Sequence, residues 1–168
     1  MTWLIPAAGS MRDQLATTIG RIAADQGTPI FEPHVTLAPL SDCEPDEAVR
    51  ALAPVASQAA ALDISFSAVG QEQAYFRSLF LRADPSPQLT QLNEAARRAL
   101  RLAEAPYMPH LSLLYSDLTD QQKQPIATGL DLVLPLTIRI RGIQLWASHP
   151  SGVTGWTRVA ELPLPGHG

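Results

Sequence analysis

Two short stretches of this chain pair an imidazole with a hydroxyl at a spacing of two residues: His34-Val35-Thr36-Leu37 and His110-Leu111-Ser112-Leu113. A strand has a side-chain period of two. In each stretch the ring and the hydroxyl therefore point to one face, and the aliphatic residues to the other. A proline precedes both histidines, in Phe31-Glu32-Pro33 and Tyr107-Met108-Pro109. Imidazoles that face a common pocket suit in-line displacement at phosphorus. One neutral ring takes a proton from the attacking water, and the other, protonated, gives one to the leaving oxygen. The ordinary pKa of imidazole lies near neutrality, so both forms coexist at working pH. Thr36 and Ser112 can donate to the non-bridging oxygens where charge builds up. Such a scheme needs no metal ion. It suits a strained cyclic phosphodiester best, because the expelled oxygen stays attached and well placed.

Other chemistries have less support. His149 lies in a His-Pro turn and His167 in a Pro/Gly tail, neither in a repeated context. The chain has no His-x-x-x-His and no cysteine cluster, so neither a metal nor any other cofactor is expected. There is no Gly-x-Ser-x-Gly elbow for a serine hydrolase. Cys43, the single cysteine, has no neighbour that would activate it and cannot form an internal disulfide.

The elements that must position these side chains repeat. Trp3-Leu4-Ile5-Pro6 reads as a strand, and Ser10 as the cap of a helix with Met11, Leu15, Ile19 and Ile22 on one face. Gly27-Thr28-Pro29 ends it and leads to the first histidine strand, 34–38. Glu44-Pro45-Asp46-Glu47 starts a second helix, which Pro54 kinks or ends. Strands are expected at Ile64 to Val69 and Tyr75 to Arg82, joined by a turn at Gly70 to Ala74. Ser86-Pro87 then starts a helix, 110–115 is the second histidine strand, and Thr119 to Gln122 is a capping box. Leu132 to Arg141, Ile143 to Ser148 and Trp156 to Leu162 read as closing strands. Ser10 precedes His34 by 24 residues, as Ser86 precedes His110 by 24. Each half thus reads strand, helix, histidine strand, helix, strand. The expected fold is α+β and bilobal, a single 1–168 domain with lobes at roughly 1–70 and 75–165 that could exchange strands. The histidine strands would face one another across a cleft between two antiparallel-rich sheets.

Composition bounds the partners. The chain has 168 residues, 46% hydrophobic and 17% charged, enough to bury a core of normal size. Its net charge of −4 argues against a dedicated binder of long nucleic acid but leaves room for a small phosphorylated ligand. Lys123 is the sole lysine, and that skew reads as coding bias. Met1 to Ser10 lacks the pattern of a signal peptide and no apolar run reaches membrane-spanning length, so a cytoplasmic monomer is expected.

Together these motifs resemble the paired signatures of the two-histidine phosphoesterase superfamily. Three stretches are similar to its cyclic phosphodiesterase branch: Phe-x-Pro-His-x-Thr-Leu at 31–37, Tyr-Phe at 75–76, and Pro-His-x-Ser-Leu-Leu-Tyr at 109–115. The resemblance spans Trp3 to about Leu162. It implies a bilobal α+β fold and hydrolysis of nucleoside 2′,3′-cyclic phosphates to 2′-phosphates, or of ADP-ribose 1″,2″-cyclic phosphate to the 1″-phosphate. Carried over, His110 looks like the base and His34 like the acid, with Thr36 and Ser112 on the phosphate. Tyr115, and more weakly Phe76, would contact the ligand from the cleft wall. Trp146 reads as core, Tyr107 as an entrance or packing residue, and one of Arg77, Arg82, Arg139 and Arg141 could face phosphate. Ala38-Pro39-Leu40 departs from the bacterial RNA-ligase-like branch, which often has an aromatic and a glycine there. The disulfides of some plant members cannot form. The alternatives are processing of RNA termini, by opening a cyclic end or joining a 2′,5′ linkage, and a nucleotide-binding module without turnover.

Overall fold

The computed structural model describes residues 1–40, 44–147 and 153–165. Cys43, His149, His167 and the expected turn at Pro150 and Gly152 lie outside them. Among the described residues the chain runs β1 (Thr2–Pro6), α1 (Ser10–Gln26), β2 (Val35–Ala38), α2 (Pro45–Gln58) and β3 (Leu62–Gln71). It continues with β4 (Leu79–Ala83), α3 (Pro87–Ala99), β5 (His110–Leu114), α4 (Asp120–Thr128), β6 (Leu136–Ala147) and β7 (Thr157–Pro163). The order strand-helix-strand-helix-strand therefore occurs twice, as β1 to β3 and β4 to β6.

Every strand pair is antiparallel, and the class is α+β. The strands expected in separate sheets are joined in one, ordered β1-β2-β5-β4-β3-β6-β7, and β1 also pairs with β6. Six strands thus close on themselves as a barrel, with β7 added outside on β6. The pairings are symmetric under exchange of the two halves: β1–β2 corresponds to β4–β5, and β1–β6 to β4–β3. In each half the third strand pairs with the first strand of the other. The histidine strands are therefore neighbours, joined at Val35 and Leu111, and do not sit on opposite walls. Closure removes the edges of the six barrel strands and leaves the outer side of β7 as the edge of the sheet.

Helices cover one face of this sheet. α1 packs on β5 and α3 on β2, each across the boundary between halves. Leu4, Val35, Leu37, Leu81, Leu111, Leu113, Ile138 and Ile143 join Leu15, Ile19, Leu52 and Leu89 in a single core. Because the strand period is two, the residues between these point to the barrel's inner face. Those are Trp3, Thr36, Phe80, Arg82, His110, Ser112 and Gln144.

Local chemistry explains the remaining departures. The cap of α1 is Gly9 and not Ser10, because its φ of 144° belongs to a region that glycine alone enters easily. Helix α2 continues through Pro54, whose ring lies on the exposed side, where water can take the freed carbonyl. The strand expected from Tyr75 begins only at Leu79. Residues Tyr75–Arg77 form a single 3-10 turn, closed by Arg77 N–H donating to the Ala74 carbonyl at 2.8 Å. The two strands expected in 132–148 are one strand, β6, which bulges where it passes from Ile140 to Ile143 against β1. Ser86 and Thr119 cap α3 and α4 as expected, Thr119 in a full capping box with Gln122.

Candidate active site

Register builds the centre of the site. Continuing the Val35–Leu111 pairing by one residue each way sets His34 opposite Ser112 and Thr36 opposite His110. The four side chains share one face, with the imidazoles on one diagonal and the hydroxyls on the other. The structure therefore brings together all four residues that the sequence pairs.

Both rings are held from behind in the same way. His34 Nδ1 lies 2.6 Å from the Glu32 carbonyl and His110 Nδ1 lies 3.0 Å from the Met108 carbonyl. Each carbonyl accepts from Nδ1–H, which makes Nε2 of each ring the atom that can take or give a proton. The Glu32 carboxylate is in turn fixed by Arg12 of α1, whose Nε donates to it at 2.9 Å. Burial drives the pKa of His34 down to about 4, the nearby His110 adding to the fall, against the opposing backbone hydrogen bond. His110, less deeply set, is also lowered by burial; its Met108 hydrogen bond acts the other way, Arg77 lowers it further and Glu72 raises it.

Aromatic rings surround His34. Trp3 stacks on it, with centroids 3.7 Å apart and planes 14° from parallel. Trp146 stacks on the far side of Trp3 at 4.5 Å, and Trp156 meets the Trp3 edge at 5.2 Å. The Trp3 indole N–H is buried without a hydrogen-bond partner among the described residues, a donor left available beside the ring. Sequence reading passed over Trp3. Only the pairing of β1 with β2, which sets Trp3 beside Thr36, reveals it.

Tyr115 is buried, 3% exposed, with its ring stacked on Phe31 at 3.9 Å. That face is taken, so what it offers the site is its hydroxyl, 3.4 Å from His34 Nε2. Burial raises the Tyr115 pKa, keeping the phenol protonated. Phe76 is 54% exposed at the rim, edge-on to Tyr115 and face-to-face with Trp156 at 6.0 Å. Trp146 is half-buried, its indole N–H bound to Gln144 at 3.0 Å. Tyr107 donates to the Thr36 carbonyl at 3.1 Å, bracing β2 from behind. The Ser112 hydroxyl donates to the Phe76 carbonyl at 3.0 Å; rotation about one bond would turn it toward a ligand.

The loop that carries Phe76 is anchored by the residue that composition made look incidental. The Lys123 side chain is wholly buried; Nζ donates to the Glu72 carbonyl at 2.7 Å and pairs with Asp120 at 2.9 Å. Gln73 reaches the same Asp120 carboxylate at 2.9 Å. Arg77 Nε donates to Glu72 at 2.7 Å, and Ser78 and Ser116 share a hydroxyl bond of 2.8 Å. Arg77 thus stands beside His110 on a strapped loop, whereas Arg139 pairs with Asp63. Among the described residues no group of three or more His, Cys, Asp or Glu is placed to hold a metal ion. No described helix is long and apolar enough to cross a membrane.

A closed antiparallel sheet with paired His-x-Thr/Ser strands on its inner face defines a class. Residues 10–152 match the family model of the 2'-5' RNA ligase superfamily. The chain belongs to that superfamily, the two-histidine phosphoesterases, and it is a phosphodiesterase. It is 31% identical over 143 residues to a cyclic phosphodiesterase of Arabidopsis thaliana, covering 81% of this chain and 79% of that protein. Solved structures share the fold. The protein TT0787 of Thermus thermophilus superposes with a TM-score of 0.65 at 16% identity over all of both chains. Escherichia coli LigT, complexed with ATP, gives a TM-score of 0.63 at 19% identity over 97% of this chain and 96% of that one.

Proposed function

We propose that the protein opens small cyclic phosphodiesters: a nucleoside 2′,3′-cyclic phosphate to the 2′-phosphate, or ADP-ribose 1″,2″-cyclic phosphate to the 1″-phosphate. The observation that carries this reading is the diagonal placement of His34 and His110 with Thr36 and Ser112 on one face. A phosphate at the centre of that square has an imidazole Nε2 on each side and a hydroxyl for its non-bridging oxygens. His110, nearer solvent, takes a proton from the water that attacks phosphorus. The new P–O bond forms as the ring P–O bond breaks opposite it, and His34 protonates the departing oxygen. His34 gains that proton as the substrate enters, since an anion beside a buried imidazole favours the charged form. The Tyr115 hydroxyl donates to the neutral Nε2 before that, and gives way once this nitrogen is protonated and its N–H turns to the departing oxygen. No step calls for a metal ion.

The test is incubation of purified protein in EDTA with four nucleoside 2′,3′-cyclic monophosphates, ADP-ribose cyclic phosphate and an RNA ending in a cyclic phosphate. Turnover of a mononucleotide or ADP-ribose substrate that survives chelation is expected. Exclusive turnover of the RNA would move the substrate to RNA ends, and tight nucleotide binding with no turnover would overturn the enzymatic reading.

A further inference from the structure

Each half of the barrel sets an aromatic residue opposite its motif hydroxyl. Trp3 of β1 pairs with Thr36, and Phe80 of β4 pairs with Ser112. The two rings therefore hold equivalent positions under exchange of the halves. Each reaches the histidine of its own half, but in a different way. Trp3 lies parallel to His34, with centroids 3.7 Å apart and planes at 14°. Phe80 meets His110 at 64°, with centroids 5.2 Å apart. A ring stacked on one histidine and not on the other breaks the symmetry of the pair.

Trp3 is held in that orientation. It is 1% exposed, and Trp146 stacks on its far side with centroids 4.5 Å apart. The Trp146 N–H donates to Gln144 at 3.0 Å, and Gln144 donates to Glu161 of β7 at 3.1 Å, so the strand outside the barrel braces the pile. The titratable groups that face His34 are few. His110 comes from β5 and the Tyr115 hydroxyl from the residue after it. Glu32, whose carbonyl holds Nδ1, has its carboxylate paired with Arg12 of α1. Among the described residues no carboxylate pairs with the imidazole of His34. A proton taken up there meets the indole face as its stabilising neighbour within the protein.

The face of an indole carries the negative lobe of the ring quadrupole. It attracts a cation within about 6 Å of its centre, most strongly where water is excluded. An imidazolium stacked at 3.7 Å on a buried indole meets both conditions. We propose that Trp3 is a positioning residue that stabilises the protonated form of His34 in the substrate complex, and so makes His34 the acid and His110 the base. The assignment rests on the phosphodiesterase reading above. A substrate anion between the two imidazoles favours protonation of either one, and the stack directs the proton to His34. It also fixes the ring plane while the proton passes from Nε2 to the departing oxygen.

The experiment follows the imidazole C–H resonances of His34 and His110 against pH in the full chain, alone and saturated with adenosine 2′-monophosphate. Alongside it, kcat is measured against pH on the best cyclic substrate. In the wild-type complex His34 is expected to take up a proton before His110 as pH falls. Trp3→Leu, with folding established by circular dichroism, is expected to lower the proton affinity of His34 in the complex about tenfold. The alkaline limb of kcat, which reports the acid, should move to lower pH by the same factor. Trp3→Phe keeps a ring face and should lose less. If Trp3→Leu does not fold, fluorinated tryptophan weakens the ring face at nearly constant shape and should shift His34 in the same direction. Protonation of His110 ahead of His34 in the wild-type complex overturns the proposal. So does an unmoved His34 titration in folded Trp3→Leu or in the fluorinated protein, even if kcat falls at every pH. Absence of wild-type turnover of every cyclic substrate would remove the phosphodiesterase reading instead, and the resonances would still decide whether the stack favours the protonated ring.

Discussion

His34 carries the largest burden at the scale of single residues. It is 5% exposed, stacked under Trp3, and its pKa falls from 6.5 to about 4. Between these values the unfolded chain binds a proton that the folded ring refuses. Stability is therefore full above pH 6.5 and declines as pH falls toward 4, by on the order of 3 kcal/mol. Denaturant titrations across that range should show the decline, and His34→Gln should flatten it. Catalysis gives the same sign. With the pKa of both rings lowered in the free enzyme, the bell of kcat/KM against pH is centred on the acidic side of 6.5. A maximum above pH 8 would contradict these environments. The His-hydroxyl pairs were legible in the sequence because a strand's period of two fixes their direction. The Trp3 stack was not, since a residue far away in the chain reaches His34 only through the β1–β2 ladder. The burial of Tyr115 was hidden for the same reason: Phe31, which covers its ring, lies in the other half of the chain.

Pairs of elements hold these residues in place. Gly70 faces Phe80 across β3 and β4, and a Cβ there would stand 2.5 Å from the Phe80 ring, whose edge meets His110. Gly70→Ala is expected to cost about 1–3 kcal/mol in denaturant unfolding. A Phe80→Leu background, which makes room, should recover part of that loss; no recovery would mean that the clash is not the cause. Lys123 ties α4 to the 72–77 loop. Lys123→Met leaves the Glu72 carbonyl without its donor, with an expected cost of about 1–3 kcal/mol. Amide exchange in the loop should quicken, and KM should rise several-fold while kcat changes less. An unchanged exchange rate would dismiss the clamp. The helix caps at Ser86 and Thr119 were legible because capping is local. The role of Lys123 was not: its partner lies 51 residues away, and composition alone says nothing of burial.

The whole molecule is two copies of one plan whose third strands are exchanged. β3 pairs with β4 and β6, and β6 with β1 and β3, so neither half has a complete sheet. Calorimetry should then show one cooperative transition, with activity lost in the same step; two separated transitions would indicate independent lobes. The spacing of caps and histidines made the duplication readable from sequence, since it depends on counting alone. Ring closure was not readable. The strand patterns permit either two open sheets or one closed one, and the choice is made by the β1–β6 and β2–β5 ladders.

The central claim is that His34 and His110 act as one acid–base pair. It is tested most directly by kcat of His34→Ala, His110→Ala and the double variant on the best cyclic substrate, with circular dichroism to establish folding. Each single variant is expected to lose about 10²–10⁴-fold, and the double variant to lose far less than the product of the two. Wild-type turnover in either folded alanine variant would contradict the pair.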